Sequence, residues 1–362
     1  NPPPGEPATI PHELCQQRTH GTDPRYISDP WSQPLSFRPH ERLLLIGSGL
    51  TMADVACAAS QTSATIRIHA ISRHGLLPPA QTHFAGAAPA REAAELLQGA
   101  SFSALTLFRI VRELADDTQR HGGDWRETIT QVRNLAPELW RRLRMPERQR
   151  LLRHVRPYWD IHRHRLPPAT ARQLQQLLAS QQLQLHAGRI LQVQVSAEQL
   201  SAEHLSVQWR ARSASELQSL QVDRIINCTG PDYDVTRSRE PLLRSLLQQQ
   251  LVTPDALRLG LSTGAHGALL DARGRQVHRL FYLGPMLRAA HWEATAAQEL
   301  RGHAESLARY LASLPAAQHV APLLRVNHAS IRSITGCRYD RTHHLRRSVS
   351  AARPASHRNP QS

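Results

Sequence analysis

One stretch limits what this chain can fold into more than any other. It reads Leu43-Leu44-Leu45-Ile46-Gly47-Ser48-Gly49-Leu50-Thr51-Met52-Ala53-Asp54-Val55-Ala56. The apolar run fits a strand buried on both faces, as in a parallel sheet. Gly47 and Gly49 follow at once, and a helical pattern opens at the second glycine. In that setting the first glycine permits a tight turn. The second lets a pyrophosphate approach the backbone, and the helix N-terminus favours its negative charge. The third glycine of the full fingerprint is absent: Met52 stands in its place, with Ala53 next. Gly47, Ser48, Gly49, Leu50, Thr51 and Met52 are therefore candidate cofactor-binding residues, with Ser48 and Thr51 able to bond phosphate.

The next strand bears on the choice of dinucleotide. Thr65 to His74 alternates apolar and polar residues and closes on Ser72-Arg73-His74. An unphosphorylated ribose is usually held by an acid at this point, whereas a 2′-phosphate calls for arginine. No acid is present, so Ser72, Arg73 and His74 are read as an NADP(H) site. The competing reading is an ordinary βαβ unit with a solvent-facing arginine.

At 362 residues there is room for two domains with their own cores. No run reaches the length of a membrane span, and the Pro-rich start does not read as a signal peptide. Cys15, Cys57, Cys228 and Cys337 are isolated and form no C-x-x-C. That spacing argues against metal ligation and against dithiol reductases, and a reduced, cytoplasmic compartment is the default. Cys57 and Cys228 read as small core residues. All 44 basic residues are arginine, which excludes Schiff-base or lysine general-base chemistry. Of the net charge of +15, residues 321–362 carry +7. Anionic cofactor phosphates and a basic tail account for the excess. No nucleic-acid motif accompanies it, so a nucleic-acid partner is disfavoured.

The pattern divides the chain. Residues 1–40 read as an extended connector, and 41–222 as an NAD(P)-binding domain carrying a helical insertion at about 88–160. Residues 223–318 follow as a second segment, and 319–362 as a basic tail expected to be disordered. Within the insertion Leu107, Val111 and Leu114 share a helical face. Asp124 to Glu127 reads as a capping box, and Pro137 and Pro146 as first-turn positions of two short helices. Leu183–His186, Ile190–Val195 and Leu205–Trp209 read as strands, the last two as a hairpin. Gln221 to Asn227 reads as a strand ending in Thr229-Gly230-Pro231. A second strand ends in Gly284-Pro285, followed by a helix with Trp292, Ala296 and Leu300 on one face.

Six blocks in order resemble a known family over about residues 20–310. They are Tyr26 to Trp31, the Gly47 turn, Ile71 to Pro78, Trp159 to Arg165, Ile226 to Pro231, and Leu283 to Pro285 with Trp292 to Ala296. The chain is similar to FAD/NAD(P)-binding flavoproteins of the FAD-dependent urate hydroxylase and L-aspartate N-monooxygenase kind. The resemblance implies an α/β, Rossmann-like flavoprotein with two dinucleotide-binding domains. NADPH would reduce FAD, and the reduced flavin would use oxygen to hydroxylate a small-molecule substrate. It implies further that Thr229, Gly230 and Pro231 mark the return to the FAD domain, and that Gly284, Pro285 and Trp292 lie near the flavin. Such a protein should open with its own glycine turn for FAD. None precedes residue 47, so roughly 150 residues are expected to be missing and FAD to bind weakly to this chain alone.

Three features keep more than one reading. His162 and His164 would share one face of a strand, as an anion-binding or proton-handling patch or as a structural junction. A metal reading lacks a third ligand. Glu293 reaches the flavin edge or charges the first turn of its helix. The whole chain is an oxidoreductase, or an NADP-binding or interaction module without catalysis.

Overall fold

Leu43, Leu44 and Leu45 are wholly buried because their strand is covered on both faces. Leu43 and Leu45 meet Met52, Ala53 and Ala56 of the helix that follows. Leu44 and Ile46 meet Val207, Trp209 and Val222 on the other side. This is why the run is continuously apolar rather than alternating. Each such leucine contributes about 1.5–3 kcal/mol of burial.

The structure, a computed structural model, describes residues 23–82, 102–196 and 204–314. Tyr26–Ile27 (β1) and Arg42–Ile46 (β2) come first, then Leu50–Thr62 (α1) and Arg67–Ser72 (β3). The insertion supplies Ala104–Arg120 (α2), Trp125–Arg142 (α3) and Met145–Arg150 (α4). A π-helical turn over Leu151–Val155 leads into Arg156–Arg163 (α5). Pro168–Ala179 (α6) is followed by Leu183–Ser196 (β4), His204–Ala211 (β5), Leu217–Val222 (β6) and Arg224–Asn227 (β7). Pro241–Gln248 (α7), Ala268–Leu270 (β8), Gln276–Phe281 (β9) and Ala297–Ser313 (α8) complete the described chain.

The main sheet has seven strands in the order β1-β7-β2-β3-β4-β5-β6. β1, β7, β2, β3 and the start of β4 run parallel. β4, β5 and β6 form an antiparallel meander. The architecture is α/β and Rossmann-like, as expected, with a helical insertion after β3. The described residues up to Ala312 belong to one compact unit. The part of the insertion before residue 102, the tail from 319, Cys15 and Cys337 lie outside the described residues.

Several expectations need correction. The alternating His and Arg at 162–165 do not form a strand. Residues 156–163 are helical, with Arg156 pairing Asp160 one turn on and the His162 ring bonded to the Tyr158 carbonyl. Pro137 lies inside α3 rather than opening a helix, whereas Pro146 does open α4. Flanking turns of good helix formers carry α3 across the one missing N–H. The two strands expected at 183–195 are one, because β4 changes partner from β3 to β5 at Gly188. A strand expected from Gln221 breaks at Asp223, which turns its carboxylate to the Arg42 amide at 2.7 Å and to His204 at 2.8 Å. β7 is an inner strand of the main sheet, so that sheet runs past the division drawn at 222/223. Tyr26–Ile27 likewise joins it from the supposed connector. The last helix begins at Ala297, and Trp292 precedes it.

Candidate functional site

The Gly47 turn is held from three sides. The Gly47 amide donates to the Ile71 carbonyl at 2.8 Å, and the Cys228 amide donates to the Ile46 carbonyl at 2.8 Å. Gly47 has φ +111°, and a Cβ there would stand 2.7 Å from the Cys228 carbonyl oxygen. Only glycine meets both conditions. Gly49 caps α1 at φ −86°, with no side chain donating or accepting at this N-terminus among the described residues. A Cβ on Gly49 would meet nothing within 4 Å. The start of this 13-residue helix thus has no side-chain cap, and at Gly49 its backbone has open space beside it.

Ser48 ties this turn to the end of β3. Its hydroxyl donates to the Leu76 carbonyl at 2.6 Å and lies 2.9 Å from Ser72 Oγ, which accepts from the Gly75 amide at 3.0 Å. On the other side Asn227 braces the end of β7. Its Nδ2 donates to the Ser28 carbonyl at 3.0 Å, and its Oδ1 accepts from the Thr229 amide and hydroxyl.

These strand ends enclose a cleft of about 880 Å³. Gly47, Ser48, Gly49, Ser72, Arg73, His74, Thr229, Gly230 and Pro231 all line it. It lies at the carboxyl ends of β2, β3 and β7, where chain connections leave the sheet in opposite directions. Leu50, Thr51 and Met52 do not line it, and Met52 is wholly buried beneath α1.

The cleft is strongly cationic. Arg156, Arg189 and Arg237 line it besides Arg73. Arg156 pairs with Asp160 at 3.2 Å and Arg237 with Asp232 at 2.5 Å. Arg73 and Arg189 have no carboxylate partner among the described residues. Partial desolvation and the charges of Arg156 and Arg189 lower the Arg73 pKa. His74 is also lowered, by desolvation and by Arg212, whose guanidinium contacts its ring. Such a concentration of positive charge favours a polyanionic ligand.

Sequence reasoning missed Arg156, Arg189 and Arg237, since each comes from a separate segment and carries no local motif. Only Gly188, beside Arg189, offered a signal. A Cβ there would lie 2.5 Å from the Arg210 carbonyl oxygen and 2.7 Å from the Trp209 ring.

Gly284, Pro285 and Trp292 lie elsewhere. Gly284 has φ +150° and precedes a short 3-10 turn over Pro285–Ala289. Trp292 is buried, with its ring stacked on Trp140 at 4.7 Å and the Arg288 guanidinium 4.3 Å above it. Glu293 is 1% exposed and neither faces a cleft nor opens a helix. It pairs with buried Arg163, lies 3.7 Å from Arg133, and accepts from Trp159 Nε1 at 3.2 Å. Burial raises its pKa against the pull of those partners. His164, next to Arg163, is driven down to about 4 by burial and by that guanidinium. Asp54 is exposed on α1. Burial raises the thiol pKa of Cys57 and Cys228, so both stay protonated and unreactive.

α5 separates the cleft from a second cavity. Arg156, Pro157, Asp160 and Ile161 face the cleft. Tyr158, Trp159 and His162 face an apolar cavity of about 550 Å³ among α2, α3 and α5. The alternation follows the 3.6-residue period of a helix. No helix among the described residues is long and apolar enough to cross a membrane.

A parallel-dominated sheet with a glycine turn into a helix N-terminus defines a Rossmann-like α/β fold. No protein-family profile matches the chain, and no curated protein matches it in sequence. Among solved structures, the FAD-bound cadaverine monooxygenase of desferrioxamine biosynthesis from Erwinia amylovora is similar at TM-score 0.54 and 11% identity. The match covers 89% of this chain and 62% of that one. L-lysine 6-monooxygenase from Pseudomonas syringae gives 0.49 at 15% identity, covering 86% and 61%. Ornithine hydroxylase from Pseudomonas aeruginosa gives 0.49 at 15%, covering 85% and 60%. The likeness to the Erwinia enzyme is one of fold, and the chain spans about three fifths of the length of each of these proteins.

Proposed function

We propose that the protein is an FAD- and NADPH-dependent oxidoreductase of the monooxygenase type that hydroxylates a small molecule. In this reading the chain supplies the NADPH site. The observation that carries it is the meeting, in one cleft, of an uncapped helix N-terminus, a glycine turn and the unpaired Arg73. The open face at Gly49, at the uncapped start of α1, suits a pyrophosphate. Arg73 suits the 2′-phosphate as a bidentate donor, and Arg189 adds charge beside it. When bound, NADPH supplies a hydride. The chain orients that nucleotide: the turn holds the pyrophosphate, Ser48 and Ser72 keep the two loops in register, and Asn227 braces the facing edge.

The flavin part of the reading is supported by the family resemblance and by the FAD bound to the Erwinia enzyme. Gly284, Pro285 and Trp292 do not line the cleft, and Trp292 lines the neighbouring apolar cavity, so the cleft lends no support to their expected place near a flavin. No step through flavin is assigned to these residues. The narrower choice among urate, aspartate and diamine hydroxylases has no residue in the cleft that favours one.

That separation favours one second reading, an NADP-binding module without catalysis of its own. Titration of the folded chain with NADP and NAD by calorimetry tests the nucleotide site. A clear preference for NADP supports it, and equal or no binding overturns it. NADPH oxidation with added FAD separates the two readings. Turnover above that of free flavin supports the oxidoreductase, and no excess supports the module.

A further inference from the structure

The apolar cavity on the far side of α5 has a composition that names its ligand. Its volume of about 550 Å³ falls in the range of small-molecule sites. The indole N–H groups of two lining tryptophans are already taken. Trp140 donates to the Ala289 carbonyl at 2.8 Å, and Trp159 donates to Glu293. Their polar edges are thus committed away from a ligand; Trp140 is also stacked on Trp292 with Arg148 4.9 Å from its centroid, so it is Trp159 that offers ring surface to the cavity. Trp125 adds a second ring, steadied by the Arg126 guanidinium 4.6 Å from its centroid. Phe108 stays 37% exposed at the same cavity. Rings held in this way favour a planar aromatic guest.

Charge sets the rest of the specificity. Among the described residues no aspartate or glutamate lines the cavity, and Arg112 of α2 is the one arginine that does. Arg112 has no carboxylate partner among the described residues. A cationic amine would meet a guanidinium and no counter-charge. A carboxylate would meet a planar fork of donors matched to it.

We propose that this cavity binds an aromatic carboxylic acid, its ring against the tryptophans and its carboxylate on Arg112. The site is separate from the nucleotide cleft, and the inference stands without the NADPH reading.

The test uses the full chain and two probes of one shape, 2-naphthoate and 2-naphthylmethylamine, titrated by calorimetry. Saturable one-to-one binding of the acid, about tenfold or more tighter than the amine, is the expected result. Arg112→Ala, at an exposed position, should weaken the acid about tenfold and remove the preference, and Arg112→Lys should keep part of it. Ala115→Trp, which fills the cavity, should abolish acid binding, while circular dichroism and NADP affinity stay as in the parent chain. The amine binding as tightly as the acid, unsaturable heats for the acid, or an Arg112→Ala chain that still prefers the acid would each overturn the proposal. Loss of NADP binding in the parent chain would strike only the nucleotide reading.

Discussion

Gly47 lies so close to Cys228 that a side chain's first carbon would stand 2.7 Å from the Cys228 carbonyl oxygen. Two glycines separated by a single serine thus do different work. Gly47→Ala should destabilise the fold by about 2–5 kcal/mol, from left-handed backbone strain and the collision with β7. Gly49→Ala should leave the melting temperature near that of the parent and weaken NADPH by about tenfold or more, since the methyl enters only the cleft. Melting curves and NADPH titrations of both variants check this. Equal effects on the two readouts would refute the division.

In the proposed NADPH site Arg73 is the residue expected to set the choice of nucleotide. Arg73→Ala should remove about 1.5–3 kcal/mol of NADPH binding, roughly ten- to hundredfold, and leave NADH nearly unchanged. The partnerless Arg189 should give a smaller loss of the same kind. Affinities for the two nucleotides, measured side by side at one ionic strength, are the check.

The strand–turn–helix was legible because its cause is local: four apolar residues between covered faces, then glycines at a helix start. The place of Arg73, just past the end of β3, was legible for the same reason. Arg156, Arg189 and Arg237 were not, because the sheet brings them together from distant segments. The alternating His162 and His164 misled, since an alternating string does not say whether strands or helices lie beside it. Their neighbours are α2 and α3, and a helix resulted. Trp292 and Glu293 sat in a recognisable block, yet the packing of Trp140 and the burial of Arg163 determine where they sit.

His164 should make stability fall on acidification. Its folded pKa of about 4 lies below the usual value of 6.5, so the folded state holds the neutral ring. Stability is complete above the unfolded pKa and declines as pH falls from about 6.5 toward 4. Between pH 7.5 and pH 5 this group alone should account for about 2 kcal/mol. His69, His186, His291 and His303 are lowered too and act with the same sign. The informative measurement is therefore urea unfolding of His164→Gln beside the parent at both pH values. A loss of the same size in both chains would show that His164 is not responsible.

Glu293 and Arg163 form a buried pair, so the two single variants and the double should diverge. Glu293→Leu alone should cost about 3–5 kcal/mol by stranding a guanidinium away from water. Adding Arg163→Met should recover most of that loss, because no uncompensated charge remains. A double-mutant cycle by chemical denaturation measures the coupling. Additive losses would mean the pair is not formed.

α5 is a single short helix tied down along its second half, Asp160 to Arg288 at 3.6 Å and Arg163 to Glu293. It is a partition with a tenant's room on each side. A guest seated against Trp159 would touch the same helix on which Arg156 and Asp160 are mounted. Were such a guest to shift that helix, the nucleotide would change the acid's affinity by the same factor that the acid changes the nucleotide's. The length of one such helix, eight residues, would make this a conversation across a single wall.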